Sequence, residues 1–82
     1  MTKEQLDRYE ELSDAVELAH ELLTEAMLQL AMVDPHRDEK PKIYLQRMES
    51  CFSEIGYWRK RLAEAKATKK AFVASLVVLH NF

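Results

Sequence analysis

The first half of the chain carries an apolar side chain at every third or fourth position. Thr2 and Gln5 precede this pattern with the spacing of a capping box, in which each side chain bonds the other residue's backbone N–H. The alternation of three and four is typical of a heptad stripe along one face of a helix. It predicts a first helix at about 3–33, which ends before Pro35 because a residue preceding proline is pushed out of the α region. The stripe consists of Tyr9, Leu12, Val16, Ala19, Leu23, Ala26, Leu30 and Val33, and Leu6, Leu22 and Met27 widen it.

A second stripe with the same spacing follows a short polar segment. Residues 34–41 contain both prolines and are the predicted loop, and Pro41 suits the first turn of a following helix. The second helix is predicted at about 42–80. Lys69 is the one polar residue in its stripe, and Gly56 costs about 1 kcal/mol relative to alanine without forcing a break. The stripe consists of Tyr44, Met48, Cys51, Ile55, Trp58, Leu62, Ala65, Phe72, Leu76 and Leu79.

These two stripes predict an all-α fold, an antiparallel helical hairpin with coiled-coil-like packing, in a single domain that covers residues 1–82. If the second helix broke near Gly56 instead, the chain would form a three-helix bundle. The sequence leaves both architectures open. They differ in the end of the chain, which would fold back and bury itself in the bundle but extend freely in the hairpin.

Composition narrows the class of protein. The 82 residues are 48% hydrophobic and 32% charged with one glycine, which excludes collagen-like and disordered chains. A single cysteine, Cys51, allows no internal disulfide and favours a reducing compartment. The apolar run 71–79 is shorter than the roughly 20 residues that cross a bilayer, and the acidic start of the chain does not resemble a signal peptide. We therefore expect a cytoplasmic protein.

Charge is divided unevenly between the two helices. Residues 1–34 carry two bases and nine acids, a net charge of −7, whereas residues 35–82 carry ten bases and five acids, a net charge of +5. Residues 59–70 form a basic segment. A helix face complementary to the acidic first helix explains this segment better than a nucleic-acid surface does, and a membrane-surface helix is a less favoured alternative. The predicted pairings across the hairpin join Arg59, Lys60 and Arg61 to Asp14 and Glu17, Lys66 to Glu10 and Glu11, and Lys69 to Glu4 and Asp7.

The unequal helix lengths predict an unpaired end. If residue 3 faces about residue 72, residues 73–82 extend past the first helix. This is the most apolar segment of the chain, and an exposed apolar patch marks an interaction site. We expect it to contact another protein or a second copy of the chain. The predicted contact residues are Phe52, Tyr57, Phe72, Val73, Leu76, Val77, Leu79 and Phe82.

No arrangement of residues in the sequence predicts catalysis. Glu17 and His20 have the spacing of half a di-iron site, but the chain has no second Glu-x-x-His. The acids and histidine within 34–38 fit helix capping better than a metal site, and Cys51 lies in the apolar stripe. The sequence therefore predicts a protein that is not an enzyme, with no cofactor, no metal and no nucleic-acid partner.

The second half of the chain resembles the needle subunits of type III secretion systems. Residues 50–59 read SCFSEIGYWR and residues 76–82 read LVVLHNF, and both correspond to short motifs of that family. The small co-chaperones that hold needle subunits before export are also helical hairpins, and an acidic amphipathic first helix matches them better. The resemblance implies a chaperone or assembly factor that binds a helical partner. The alternatives are a self-assembling structural subunit and a small regulator, for example phage-encoded, that occludes a larger protein.

Overall fold

The hairpin prediction is confirmed by a computed structural model, which describes residues 1–33 and 40–80 and, for the last two of these, the backbone alone. Helix α1 runs over Lys3–Ala31 and helix α2 over Pro41–His80. The described part of the chain contains no strand. The two helices pack along their length into a rod of 65 × 16 × 13 Å. The predicted loop residues 34–39 lie outside the described part.

Both ends of α1 have local causes. At its start Thr2 Oγ1 accepts from the Gln5 N–H at 3.1 Å, and Gln5 Oε1 accepts from the Thr2 N–H at 2.9 Å, so the predicted capping box is present. The helix ends at Ala31, two residues earlier than predicted. Beyond it the N–H of Val33 donates to the carbonyl of Leu30 at 3.2 Å, in a tighter i to i+3 turn that satisfies a terminal carbonyl.

Helix α2 is continuous through Gly56, so the three-helix alternative is wrong. Ile55 and Trp58 on either side of the glycine are both withdrawn from solvent, and their burial outweighs the cost of about 1 kcal/mol for a helical glycine. The glycine itself faces open space, because a Cβ built there meets no atom within 4 Å. The helix begins at Pro41, one residue earlier than predicted, since proline needs no N–H partner in a first turn.

The two predicted stripes form the seam between the helices. Every stripe residue whose side chain is described is buried or half-buried. Of the three residues expected to widen the first stripe, Leu22 is half-buried, whereas Leu6 and Met27 remain 46% and 47% exposed. Two helices alone cover only a narrow stripe on each other, so the wider band stays open to solvent. The buried core consists of Leu12, Ala19, Ala26, Ile55, Leu62 and Leu76.

The register of the hairpin differs from the predicted one. Trp58 lines a recess with Leu22 and Ala26, and Lys69 reaches Tyr9. When the two stripes are aligned so that both contacts are satisfied, Leu23 lies opposite Trp58. In this register small residues of α1 face large residues of α2: Ala19 lies opposite Leu62, and Ala26 lies opposite Ile55.

This register removes the predicted overhang. Residue 3 lies opposite the last turn of α2 rather than opposite residue 72, and Leu76 is only 8% exposed. The prediction failed because it placed the fold at the middle of the loop, whereas the fit of large side chains over small ones sets the alignment. The unmatched length of α2 lies at its beginning instead, where Ile43 and Leu45 extend past Ala31 and are exposed.

Candidate protein-binding surface

The predicted contact residues on α2 differ in their exposure. Phe52 and Tyr57 are 55% and 53% exposed, and Val73 and Val77 are also exposed. Phe72 is half-buried. The side chain of Leu79 and the whole of Phe82 lie outside the described residues.

Leu76 is the predicted contact residue that the fold removes from the surface. It was expected to anchor a partner on an overhanging tail, but it is buried in the seam. A side chain that is buried between the two helices is not free to contact a partner.

The two exposed aromatic residues lie on opposite sides of α2. Phe52 and Tyr57 are five residues apart, which separates them by about 140° around the helix axis. The Tyr57 ring is held by its own helix, edge-on to Trp58 with centroids 4.8 Å apart and with the Arg61 guanidinium 5.8 Å from its centroid. Phe52 has no ring contact of this kind among the described residues. Only one side of α2 therefore presents an unsupported aromatic ring.

The side of Phe52 continues across both helices as one surface, which we call the mixed face. Residues seven apart share a flank of a heptad helix, and the register then pairs the two flanks. At the heights that this register gives, Leu6 falls near Val73 at the terminal end and Met27 falls near Phe52 toward the predicted loop. The middle is polar. The mixed face consists of Leu6, Ser13, His20 and Met27 on α1 and Leu45, Phe52, Arg59, Lys66 and Val73 on α2.

Leu6, Met27 and Leu45 belong to this surface but were not predicted as contact residues. The sequence contained a signal for them, since Met27 and Leu45 each stand one position after a seam residue and Leu6 lies three heptads before Met27. For Leu6 and Met27 this spacing was interpreted as a wider apolar stripe that would be buried in the core. A third helix would have buried them, and the continuity of α2 leaves them exposed.

A groove with an apolar base opens at the terminal end of the mixed face. Its volume is about 530 Å³, and its apolar lining includes Val16 and Val73. Three lysines, Lys66, Lys69 and Lys70, also line it. The Nζ of Lys69 lies 5.0 Å from the centroid of the Tyr9 ring, which lets a charged residue occupy the seam by cation–π contact. The groove combines apolar area with positive charge.

The other side of the hairpin is more polar next to the seam. Leu22, Gln29 and Glu54 line a recess there of only about 50 Å³. Exposed apolar side chains on this side, such as Leu18 and Val78, stand one position farther from the seam. The two open sides of the rod therefore differ, and the mixed face has the larger groove and an apolar pair at each end.

None of the predicted pairings of opposite charge across the hairpin forms as an ion pair, although all of their members are described. Lys69 contacts Tyr9 instead of Glu4 or Asp7. The ion pair recorded for α1 lies within the helix, between Arg8 Nη1 and Glu11 Oε1 at 3.2 Å. The predicted pairs rested on the wrong register, and an exposed pair gains only about 0–1 kcal/mol. Of the residues named in those pairings, Glu11 is held by Arg8, and Lys69 and Arg61 contact tyrosine rings, whereas Glu10, Glu17 and Lys66 form no ion pair with one another.

Of the motifs considered for catalysis or metal binding, the acids and histidine within 34–38 lie outside the described residues. Glu17 and His20 are both exposed, and Cys51 is a half-buried free thiol. Among residues 1–33 and 40–80, no group of three potential metal ligands comes together. In the same residues no helix is long and apolar enough to cross a membrane. Comparison with known proteins finds no matching family, no matching curated protein and no matching solved structure.

Proposed function

We propose that this chain is a non-enzymatic protein-interaction module that acts as a small chaperone or assembly factor for a helical partner. The observation that carries the proposal is the mixed face: the hairpin fills its own seam yet leaves Phe52, Met27, Leu6 and Val73 exposed beside it. An amphipathic helix lying along such a face would cover these side chains as anchors, and anchors of this kind dominate binding energies.

The end of α2 extends the proposed surface. Val77 is exposed next to the terminal end of the mixed face, and Leu79 and Phe82 remain predicted contacts. Tyr57 is a predicted contact for a partner that wraps around to the other side of α2. A role like that of the co-chaperones of type III secretion needle subunits, in the cytoplasm, is the form of this proposal that the sequence resemblance suggests.

Site-specific photo-crosslinking in the cell of origin tests this function. A photoreactive amino acid at Phe52 or Val77 should yield a discrete heavier adduct. The same group at Lys60, an exposed position on the outer side of α2, is the matched control and should yield none. Identification of the adduct by mass spectrometry should show a helical protein crosslinked through its apolar side. Equal labelling at all three positions, or none at Phe52 and Val77, would overturn the proposal.

A further inference from the structure

We propose that the mixed face binds a second copy of this chain, so that two hairpins form an antiparallel four-helix bundle. This inference rests on the part of the proposed function that makes the mixed face a protein-binding surface; a client helix and the second copy would compete for that surface. A two-fold interface must be complementary to itself. The mixed face has apolar pairs at both ends and opposite charges on its two helices, which is what self-complementarity requires.

The area of the face suits a stable dimer. The two helices lie side by side over the 29 residues of α1, about 44 Å at 1.5 Å per residue, and the rod is 16 Å wide. A fully covered face would therefore bury about 700 Å² on each copy, within the roughly 600–1,000 Å² per partner of a standard interface. A hairpin of two helices also lacks the enclosed core that small domains normally need. Pairing two hairpins would enclose Leu6, Met27, Phe52 and Val73 between four helices.

Charge selects the orientation of the two copies. If the two-fold axis runs along the rod, α1 of each copy lies on α2 of the other, and the acidic helix meets the basic helix. If the axis runs across the rod, α1 lies on α1 and Glu17 meets its own symmetry mate. Like charges at that distance repel. The first arrangement is therefore the proposed one, and it makes every neighbouring pair of helices antiparallel.

This orientation predicts specific contacts. Because Glu10 and Lys70 lie at the same height along the rod, Lys70 would meet Glu10 of the partner subunit at the edge of the groove. Glu17 of the partner subunit would lie between Arg59 and Lys66. Val73 would be covered by Leu6 of the partner subunit. None of these charged groups forms an ion pair with another of them inside one chain, so the pairing is open to the second copy.

Alternative occupants fit this surface less well. An anionic membrane would attract the lysines of the groove, but Glu10 and Glu17 stand on the neighbouring helix along the same side and would be repelled. A purely acidic peptide would pair with α2 and leave the acids of α1 uncompensated. A second copy supplies acids and bases together in the matching order.

Light scattering across a range of concentrations is the first test. The wild-type chain should reach a plateau at twice its mass of 9.6 kDa. Phe52→Asp should raise the dissociation constant at least about a hundredfold, because the two-fold symmetry removes an aromatic anchor and buries a charge in both copies. Tyr57→Asp, at a similarly exposed aromatic residue on the opposite side, is the matched control and should leave the plateau unchanged. Helix content by circular dichroism confirms that both variants fold.

Charge exchange tests the orientation. Glu10→Lys alone should weaken the dimer about tenfold, because two symmetry-related attractions become repulsions, and Lys70→Glu alone should do the same. An equimolar mixture of the two variants should recover the dimer, since each heterodimer restores both pairs. Lys60→Glu, with the same change of charge on the outer side, should have no effect and should not complement Glu10→Lys.

Three outcomes would overturn the inference: a monomer at every concentration, mass that grows beyond the dimer, or single variants that fail to complement each other. The photo-crosslinking result separates these failures from a failure of the proposed function. A monomer whose Phe52 crosslinks a different helical protein would remove the second copy as the partner and keep the interaction module. A monomer with no adduct would remove both proposals.

Discussion

The middle of the seam and its terminal end have the same heptad spacing but are packed differently. In the middle, Ala19 and Ala26 of α1 make room for Leu62 and Ile55 of α2, and all four are buried. At the terminal end Lys69 occupies the corresponding position and contacts the Tyr9 ring, beside an open groove. The difference teaches that one apolar stripe can hold two helices together in one region and leave a binding groove in another.

The largest expected effect comes from the middle of the seam. Leu62→Ala should lower the free energy of unfolding by about 3 kcal/mol, since it leaves a cavity where Ala19 cannot fill the space. Urea unfolding followed by the fluorescence of Trp58, the only tryptophan, measures this at one fixed protein concentration. Leu28→Ala, at an exposed position of α1, is the control and should change stability by less than about 0.5 kcal/mol. Equal losses would contradict the assignment of the core.

Leu76→Ala should cost less, about 1–2 kcal/mol, although Leu76 is as well buried as Leu62. It lies one turn from the end of α2, where local opening already exposes the side chain part of the time. The same unfolding assay measures the loss. Hydrogen exchange should show faster exchange confined to the last turns of α2. A loss as large as that of Leu62→Ala would show that the terminal end is as tightly packed as the middle.

Gly56→Ala should raise the free energy of unfolding by about 0.5–1 kcal/mol. The added Cβ meets no atom within 4 Å and removes backbone freedom from the unfolded chain. Ala63→Gly, seven residues later on the same exposed side of α2, is the matched control and should lower stability by a similar amount. If Gly56→Ala did not raise the free energy of unfolding, another surface would already pack against Gly56, as in a tight dimer contact.

The smallest expected effect concerns the cation–π contact at the terminal end. A double-mutant cycle of Lys69→Gln and Tyr9→Leu should give a coupling energy of about 0.5 kcal/mol. The cycle of Lys70→Gln with Tyr9→Leu should give none, because Lys70 lines the groove without the recorded ring contact. A coupling indistinguishable between the two cycles would mean that Lys69 only fills the seam with its methylene groups.

The sequence predicted most of the exposed contact candidates on α2 correctly, but it did not predict where the unpaired part of α2 lies. Phe52, Tyr57, Val73 and Val77 were expected on the surface and are exposed, whereas Leu76 was expected there and is buried. The prediction took the end of the chain as a free tail because it rested on helix lengths and an assumed alignment. Side-chain size across the seam moved that alignment and transferred the unmatched turns to the beginning of α2.

The helices, the cap at Thr2 and the residues of the seam were determined by the sequence alone, because helical periodicity and capping act over a few neighbouring residues. The continuity of α2 at Gly56 and the register were decided only in the tertiary structure. Sliding one heptad helix along another by seven residues keeps both stripes in contact, so periodicity favours no single alignment. Fitting large side chains over small ones requires both surfaces at once. This fit places Phe52 near the height of Met27 and leaves Glu10 and Lys70, on neighbouring helices, without an ion pair between them.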